Sequence, residues 1–265
     1  MPTYLEFTKT LAVSAGEKLL TERASAEFDR NYKQGDELVT SADLMLDAFI
    51  CNAIKEAYPA HHILSEESSP TFSFENIAAE DYVWVIDPID GTVNFAHGHK
   101  HVAISIGLIH QGKRIVGVVN APFLNELYWA EKGKGAFLNN EAISVSREKN
   151  LKRALVATGF PYVKDQLDPI LDRVKNILIH CQDIRRNGSA ALDLCAVATG
   201  CVEAYFESVK PWDLAAGALI AEEAGARVGH YIQPTSSKKL PYELFSEHLL
   251  AANSDLYQPI RDLLQ

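Results

Sequence analysis

The segment Trp84-Val85-Ile86-Asp87-Pro88-Ile89-Asp90-Gly91-Thr92-Val93-Asn94-Phe95 constrains this chain more than any other. An apolar strand over Tyr82–Ile86 runs into two carboxylates three residues apart. Pro88 stiffens the link between them, and Gly91 permits a backbone shape that a side chain would hinder. Carboxylates at the end of a buried strand are costly unless a cation offsets them, and a hard divalent ion is the usual partner. A capped turn would use the same Asp, Pro and Gly residues.

Two further acidic clusters bear on that choice. Glu66-Glu67-Ser68 follows a short apolar strand at His62–Leu64, where a solvated loop pair is the plainer reading. Asp213, in Lys210-Pro211-Trp212-Asp213-Leu214-Ala215-Ala216-Gly217, stands where a helix would take a capping or first-turn acid. Together the three clusters supply the oxygen ligands that two or more Mg2+ ions require.

Glu66-Glu67-Ser68, Asp87 to Phe95 and Trp212 to Gly217, in that order, resemble the motifs of the inositol monophosphatase family. The resemblance runs from Leu38-Val39-Thr40-Ser41-Ala42-Asp43 to Ala251-Ala252-Asn253. The segment from Arg185 through Gly188, Ser189 and Ala190 to Asp193 is similar to bacterial members in particular. The resemblance implies a layered α-β-α-β-α sandwich of the inositol monophosphatase and fructose-1,6-bisphosphatase type. It implies two or three Mg2+ ions, a small phosphate monoester as substrate, sensitivity to lithium and a homodimer.

Residue by residue, it implies that Glu66, Asp87 and the Ile89 carbonyl hold a first metal. Asp87, Asp90 and Asp213 would hold a second, with Asp87 as the bridge, and Glu66 would face a third. Thr92 would position the attacking water and Asp43 would support Thr92. The N–H groups of Gly91 and Thr92 would bind phosphate, while Gly188, Ser189, Ala190 and Glu207 would meet the alcohol. The segment Glu207-Ser208-Val209-Lys210-Pro211-Trp212-Asp213 is one residue shorter than the usual family spacing, which bears on Glu207.

The pattern along the chain divides near residues 145–152. Residues 1–150 read as an α+β half: a helix at 4–23, an exposed hairpin or loop at 24–40, a helix capped by Ser41, and then strands. Residues 151–265 read as an α/β half. Its strands fall near 154–158, 182–186, 202–207, 226–229 and 248–252, and its helices near 165–179, 188–199, 212–224 and 255–263.

A formal charge of -10 argues against a general nucleic-acid surface. No run of residues reaches the ~18 apolar residues of a membrane span. Cys51, Cys181, Cys195 and Cys201 form no C-x-x-C pair, and with no leader evident the expected compartment is the cytoplasm. His97, His99 and His101 read as a solvated loop rather than a transition-metal site, and Lys132-Gly133-Lys134-Gly135 as a hairpin turn rather than a phosphate loop.

Within the family, inositol monophosphate is the expected substrate, with fructose 1,6-bisphosphate or another sugar or nucleotide phosphate as alternatives. A phosphatase acting through an aspartyl-phosphate would space its two aspartates one residue closer. A non-catalytic regulatory role is the alternative outside enzymology.

Overall fold

A computed structural model describes residues 2–24, 30–32, 38–69, 73–74, 81–161, 167–234 and 240–265. The chain opens with α1 (Tyr4–Ala24), the antiparallel pair β1 (Arg30–Tyr32) and β2 (Leu38–Thr40), and α2 (Ser41–Ala57). The expected hairpin within 24–40 is present in these two strands, while 25–29 and 33–37 lie outside the described residues. Thr40, rather than Ser41, caps α2. Its N–H and its hydroxyl donate to Asp43 Oδ2 at 2.8 and 2.5 Å, because Asp43 falls at the third position of the helix, where a side chain reaches back.

Seven strands follow in one sheet: β3 (His62–Ser65), β4 (Tyr82–Asp90), β5 (Ala103–His110), β6 (Lys113–Ala121), β7 (Glu126–Glu131), β8 (Ala136–Leu138) and β9 (Glu141–Ala142). Only β3 and β4 run parallel. A short helix, α3 (Thr92–His97), leaves the end of β4. The second sheet has order β11-β10-β12-β14-β13, from β10 (Leu155–Thr158), β11 (Asp183–Arg185), β12 (Ala204–Glu207), β13 (Arg227–His230) and β14 (Leu249–Ala252). Its helices are α4 (Asp168–His180), α5 (Ala190–Ala198), α6 (Pro211–Glu223) and α7 (Tyr257–Leu264).

The layers are α1/α2, the seven-stranded sheet, α5/α6, the five-stranded sheet, and α4/α7. This is the expected α-β-α-β-α sandwich. The first sheet is covered on both faces, which is why Val83, Trp84, Val85 and Ile86 are all buried and show no polar alternation. The α1 face carries Leu11, Ala12, Ala15 and Leu19. Gly16 on the same helix makes room for Asn120 of β6, whose amide donates to the Ala12 carbonyl at 2.8 Å.

The central helix α6 is buried almost all round, from Leu214 to Ala221, as a helix between two sheets must be. It lies close to the first sheet because Gly107 and Gly117 pair across β5 and β6 beneath it. A Cβ on Gly117 would come within 2.7 Å of the Ala216 carbonyl, and one on Gly107 within 3.0 Å of the Ala215 Cβ. The central layer belongs to residues 190–223, so the second part of the chain covers the inner face of the first.

One element differs from the sequence expectation at a decisive place. β4 does not stop at Ile86 but continues to Asp90, with a break in register between Asp87 and Asp90. Proline has no N–H for the ladder and is tolerated at such irregularities, and Pro88 sits inside this one.

Candidate active site

A cavity of about 1220 Å³ opens where the C-terminal ends of β3, β4, β10 and β12 meet the N-termini of α5 and α6. Glu66, Glu67, Asp87, Ile89, Asp90, Gly91, Thr92, Gly188, Ser189, Ala190, Glu207 and Asp213 all line it. Asp43 lies behind the wall, fully buried, and touches the site through Thr92.

The two aspartates of β4 have different surroundings. Asp87 is buried, and its Oδ1 accepts the N–H of Ile89 at 3.0 Å. Burial pushes its carboxyl far above the usual range, and the charges of Glu66, Asp90 and Asp213 add to the effect. Asp90 receives more help. Its Oδ2 accepts the Ser189 hydroxyl at 2.5 Å and the Ala191 N–H at 2.7 Å, and its Oδ1 accepts the Ala190 N–H at 3.3 Å. Burial raises Asp90 to about 6, and these bonds hold it back from going higher. Asp90 thus anchors the first turn of α5 and joins the two parts of the chain across 99 positions.

Ser189 is the N-cap of α5, and its oxygen also accepts the Leu192 N–H at 3.3 Å. Its hydroxyl is therefore engaged by Asp90 within the protein. Asp213 stands in the first turn of α6, where its Oδ2 accepts the Lys210 N–H at 2.8 Å. Burial, Asp90 and Glu66 raise it well above the ordinary carboxylate range, and the Lys210 N–H opposes them.

Gly91 begins α3 in the left-handed region, at φ +96°. A Cβ there would press on the carbonyls of His101 and Gly188, 3.0 and 3.1 Å away, so shape and space both require glycine. Asn94, one turn on, donates to the carbonyls of His101 and Asn187 at 2.8 and 2.7 Å and holds the Gly188 loop against α3. The Thr92 hydroxyl stands 3.1 Å from both Asp43 Oδ1 and the Ile89 carbonyl.

The short link before α6 leaves Glu207 in the cavity wall, at the end of β12. Its Oε2 accepts the Tyr205 hydroxyl at 2.7 Å. Burial lifts Glu207 to about 7, against the pull of that bond and of the Arg186 charge.

Asp47 was not apparent from the sequence. It is buried on α2, one turn beyond Asp43, and accepts the hydroxyl of Ser65, the residue before Glu66. The Cys51 thiol lies 3.8 Å from the same oxygen. The four-residue spacing of Asp43 and Asp47 on an otherwise apolar helical face was the available signal. Asp193 was also passed over. It lies below the Gly188 loop, accepts the Asn187 amide at 2.9 Å, and is raised by burial to about 8.

The other motifs fall outside the site chemistry. His97 and His99 are exposed, but His101 is not solvated as expected: it is partly buried, with Nε2 3.9 Å from the carboxylate of Asp193 in the cavity wall. The hairpin turn between β7 and β8 gives its Gly133 and Gly135 N–H groups to Glu223 of α6, at 2.8 and 2.9 Å.

The donor set suits a hard divalent cation. It consists of carboxylate and carbonyl oxygens, and among the described residues no lysine or arginine ion-pairs with Asp87, Asp90 or Asp213. The acids raise one another's proton affinity across the cavity. Among the described residues, no three acidic, histidine or cysteine side chains draw together into a ready-made metal cage. No helix among them is long and apolar enough to cross a membrane.

Residues 2–261 match the model of the inositol monophosphatase family. A putative Nus factor SuhB of Neisseria meningitidis serogroup B is 42% identical, over 86% of this chain and 87% of its own. An inositol-1-monophosphatase of a Synechocystis species is 36% identical over all of this chain and 89% of its own. The solved structure of the extragenic suppressor protein suhB from Bartonella henselae superposes with a TM-score of 0.87 at 29% identity, covering 100% of this chain and 99% of that one.

Proposed function

Since the chain belongs to the inositol monophosphatase family and is a hydrolase of that phosphatase class, we propose that it cleaves a small phosphate monoester, myo-inositol monophosphate foremost, in a Mg2+-dependent reaction. The observation that carries this reading is the convergence of Asp87, Asp90, Asp213 and Glu66 on one cavity, where the charges of neighbouring acids add to burial in raising Asp87 and Asp213. Glu66, Asp87, the Ile89 carbonyl, Asp90 and Asp213 would hold the metal, as two or three ions. When bound, Mg2+ neutralises a phosphate dianion and lowers the proton affinity of water.

The chain's own groups do the positioning. The Thr92 hydroxyl has two acceptors for its one proton, Asp43 Oδ1 and the Ile89 carbonyl, which leaves its lone pairs free to accept from a water. The Gly91 turn brings backbone N–H groups to the cavity wall at the start of α3, where a phosphate oxygen would accept from Gly91 and Thr92. The backbone of Gly188, Ser189 and Ala190 and the carboxylate of Glu207 form the wall toward the alcohol. In this division of labour residues 1–150 supply most metal ligands, and residues 151–265 supply Asp213 and the alcohol contacts.

Fructose 1,6-bisphosphate and other sugar or nucleotide phosphates are the alternative substrates. The relatives called Nus factors support a second, non-catalytic role, which would use a surface rather than the carboxylates. The reading also carries a cytoplasmic homodimer inhibited by millimolar lithium.

The test is phosphate release from a panel of these esters, before and after EDTA treatment and after return of Mg2+. Loss with EDTA and recovery with Mg2+ are expected, with inositol 1-phosphate the best substrate. Full activity in a metal-free preparation would sink the proposal.

A further inference from the structure

We infer that Gly159 and Tyr205 decide which alcohols the cavity accepts, by fixing the carboxylate of Glu207 so that a single oxygen faces the ligand. The inference rests on the reading of Glu207 as an alcohol contact and adds what makes that contact selective.

The neighbouring parallel strands β10 and β12 set the geometry. Ala157 pairs with Tyr205 and Thr158 with Phe206, so the next residues out, Gly159 and Glu207, face each other at the cavity wall. A Cβ on Gly159 would overlap Oε1, Oε2 and Cδ of Glu207. The whole carboxylate therefore lies on the glycine, and turning it about its last bond would not relieve the overlap. Gly159 is not among the residues with positive φ, so it is needed for space rather than for backbone freedom.

Tyr205 acts from the other side. It is fully buried, two residues before Glu207 and so on the same face of β12. Its hydroxyl donates to Oε2 at 2.7 Å. Oε1 has no hydrogen bond among the described residues and remains an acceptor at the wall. An acceptor fixed in this way rewards an alcohol that brings a hydroxyl donor and gives nothing to an aryl leaving group. The ligand class is a polyol phosphate. An alanine at 159 would push the carboxylate away from the strand, and a phenylalanine at 205 would free it to rotate.

The experiment measures kcat/KM for inositol 1-phosphate and for p-nitrophenyl phosphate in wild type, Gly159→Ala, Tyr205→Phe and Glu207→Ala, and in each of the first two combined with Glu207→Ala. Tyr205→Phe should raise KM for inositol 1-phosphate roughly threefold to tenfold, the scale of one ordinary hydrogen bond, because the ligand's contact with Glu207 is loosened rather than removed, and Gly159→Ala at least as much. Both should leave aryl phosphate turnover within about twofold, since neither residue is placed at the phosphate. On a Glu207→Ala background neither change should shift the substrate ratio further, because residues acting through one group are not additive.

If Glu207→Ala itself leaves the ratio unchanged, the reading of Glu207 fails, and this inference with it. If Glu207→Ala shifts the ratio but Tyr205→Phe and Gly159→Ala do not, only the positioning inference is overturned. Equal loss on both substrates would also overturn it. Tyr205→Phe keeps the ring in the core, so it decides the matter even if Gly159→Ala does not fold.

Discussion

The Thr92 hydroxyl sits 3.1 Å from Asp43 Oδ1, although 49 positions separate the two residues. It is equally far from the Ile89 carbonyl, and a hydroxyl has one proton to give. Asp43 also closes the first turn of α2 through Thr40. The same carboxylate therefore fixes a helix start and orients a group in the cavity wall.

Thr92→Ala should lower kcat by about 10² or more, the range for removing a group that handles the proton of a reacting water, with a smaller change in KM. Its melting temperature should move little. Asp43→Ala should show the same kinetic defect plus a stability loss of about 1 kcal/mol, because the cap of α2 is lost as well. Steady-state kinetics and urea unfolding separate the two, and a Thr92→Ala enzyme with unchanged kcat would remove the role.

Asp90→Asn should cut turnover by about 10² or more, as for other electrostatic groups in active sites. On stability, the structure sets a lost hydrogen bond of about 1–2 kcal/mol against relief of the repulsion with Asp87 and Asp213. The asparagine carbonyl can accept from Ser189 and Ala191, but its NH2 then faces the Ala190 N–H. Near-normal turnover with unchanged Mg2+ dependence would exclude Asp90 from metal binding.

Asp47→Ala should weaken the turn that carries Glu66 by releasing the Ser65 hydroxyl. The half-saturating Mg2+ concentration should rise several-fold while kcat at saturating Mg2+ stays closer to wild type. Ser65→Ala should show the same direction with at least as large a stability loss, since it takes the hydroxyl donor away from the buried Asp47 carboxylate. Calorimetric Mg2+ titration reads the effect without turnover, and unchanged affinity in both variants would make Asp47 a matter of folding alone.

His61 predicts a pH dependence of stability. Burial, then the neighbouring imidazoles of His62 and His110, holds it below its ordinary 6.5, and the Trp84 indole N–H donates to its Nδ1 at 3.1 Å. The folded state keeps His61 neutral while the unfolded chain takes up a proton near pH 6.5. The His61 contribution to stability should therefore fall as pH drops from about 6.5 toward the lower folded value, while the raised carboxyls of Asp90, Asp193 and Glu207 act in the opposite direction over the same range. Between pH 7.5 and 5.5, His61→Gln should gain stability relative to wild type as pH falls; an unchanged difference between the two proteins would remove His61 from the slope.

The acid sites were legible where charge broke an apolar strand, as at Asp87 and Asp90, or opened a helix, as at Asp213. They were not legible where the reason lies far along the chain. The bond from Ser189 to Asp90 has no local trace, because Ser189 reads equally well as the plain cap of α5. Asp47 hid within the periodicity of α2, where its partner is a serine on another strand. Pro88 suggested a turn, but neighbouring β5 carries the ladder across the break and keeps β4 in the sheet to Asp90. The need for glycine at 159 came from Glu207 on the adjacent strand, and no local pattern encodes that. The layer order came from the family resemblance, because the helix and strand patterns alone gave an α+β half followed by an α/β half and did not say how the two stack.

The shared central layer has a consequence for synthesis. The strands of the first sheet end at Ala142, but the helices that cover their inner face span 190–223. At roughly 5–20 residues per second on the ribosome, that apolar face waits for seconds before its cover exists. The glycine pair at 107 and 117, shaped to admit a helix, is then an open groove on a nascent sheet. The first part of this chain should depend on chaperones during translation, and a ribosome-stalled chain ending before α6 should bind them while the completed protein does not.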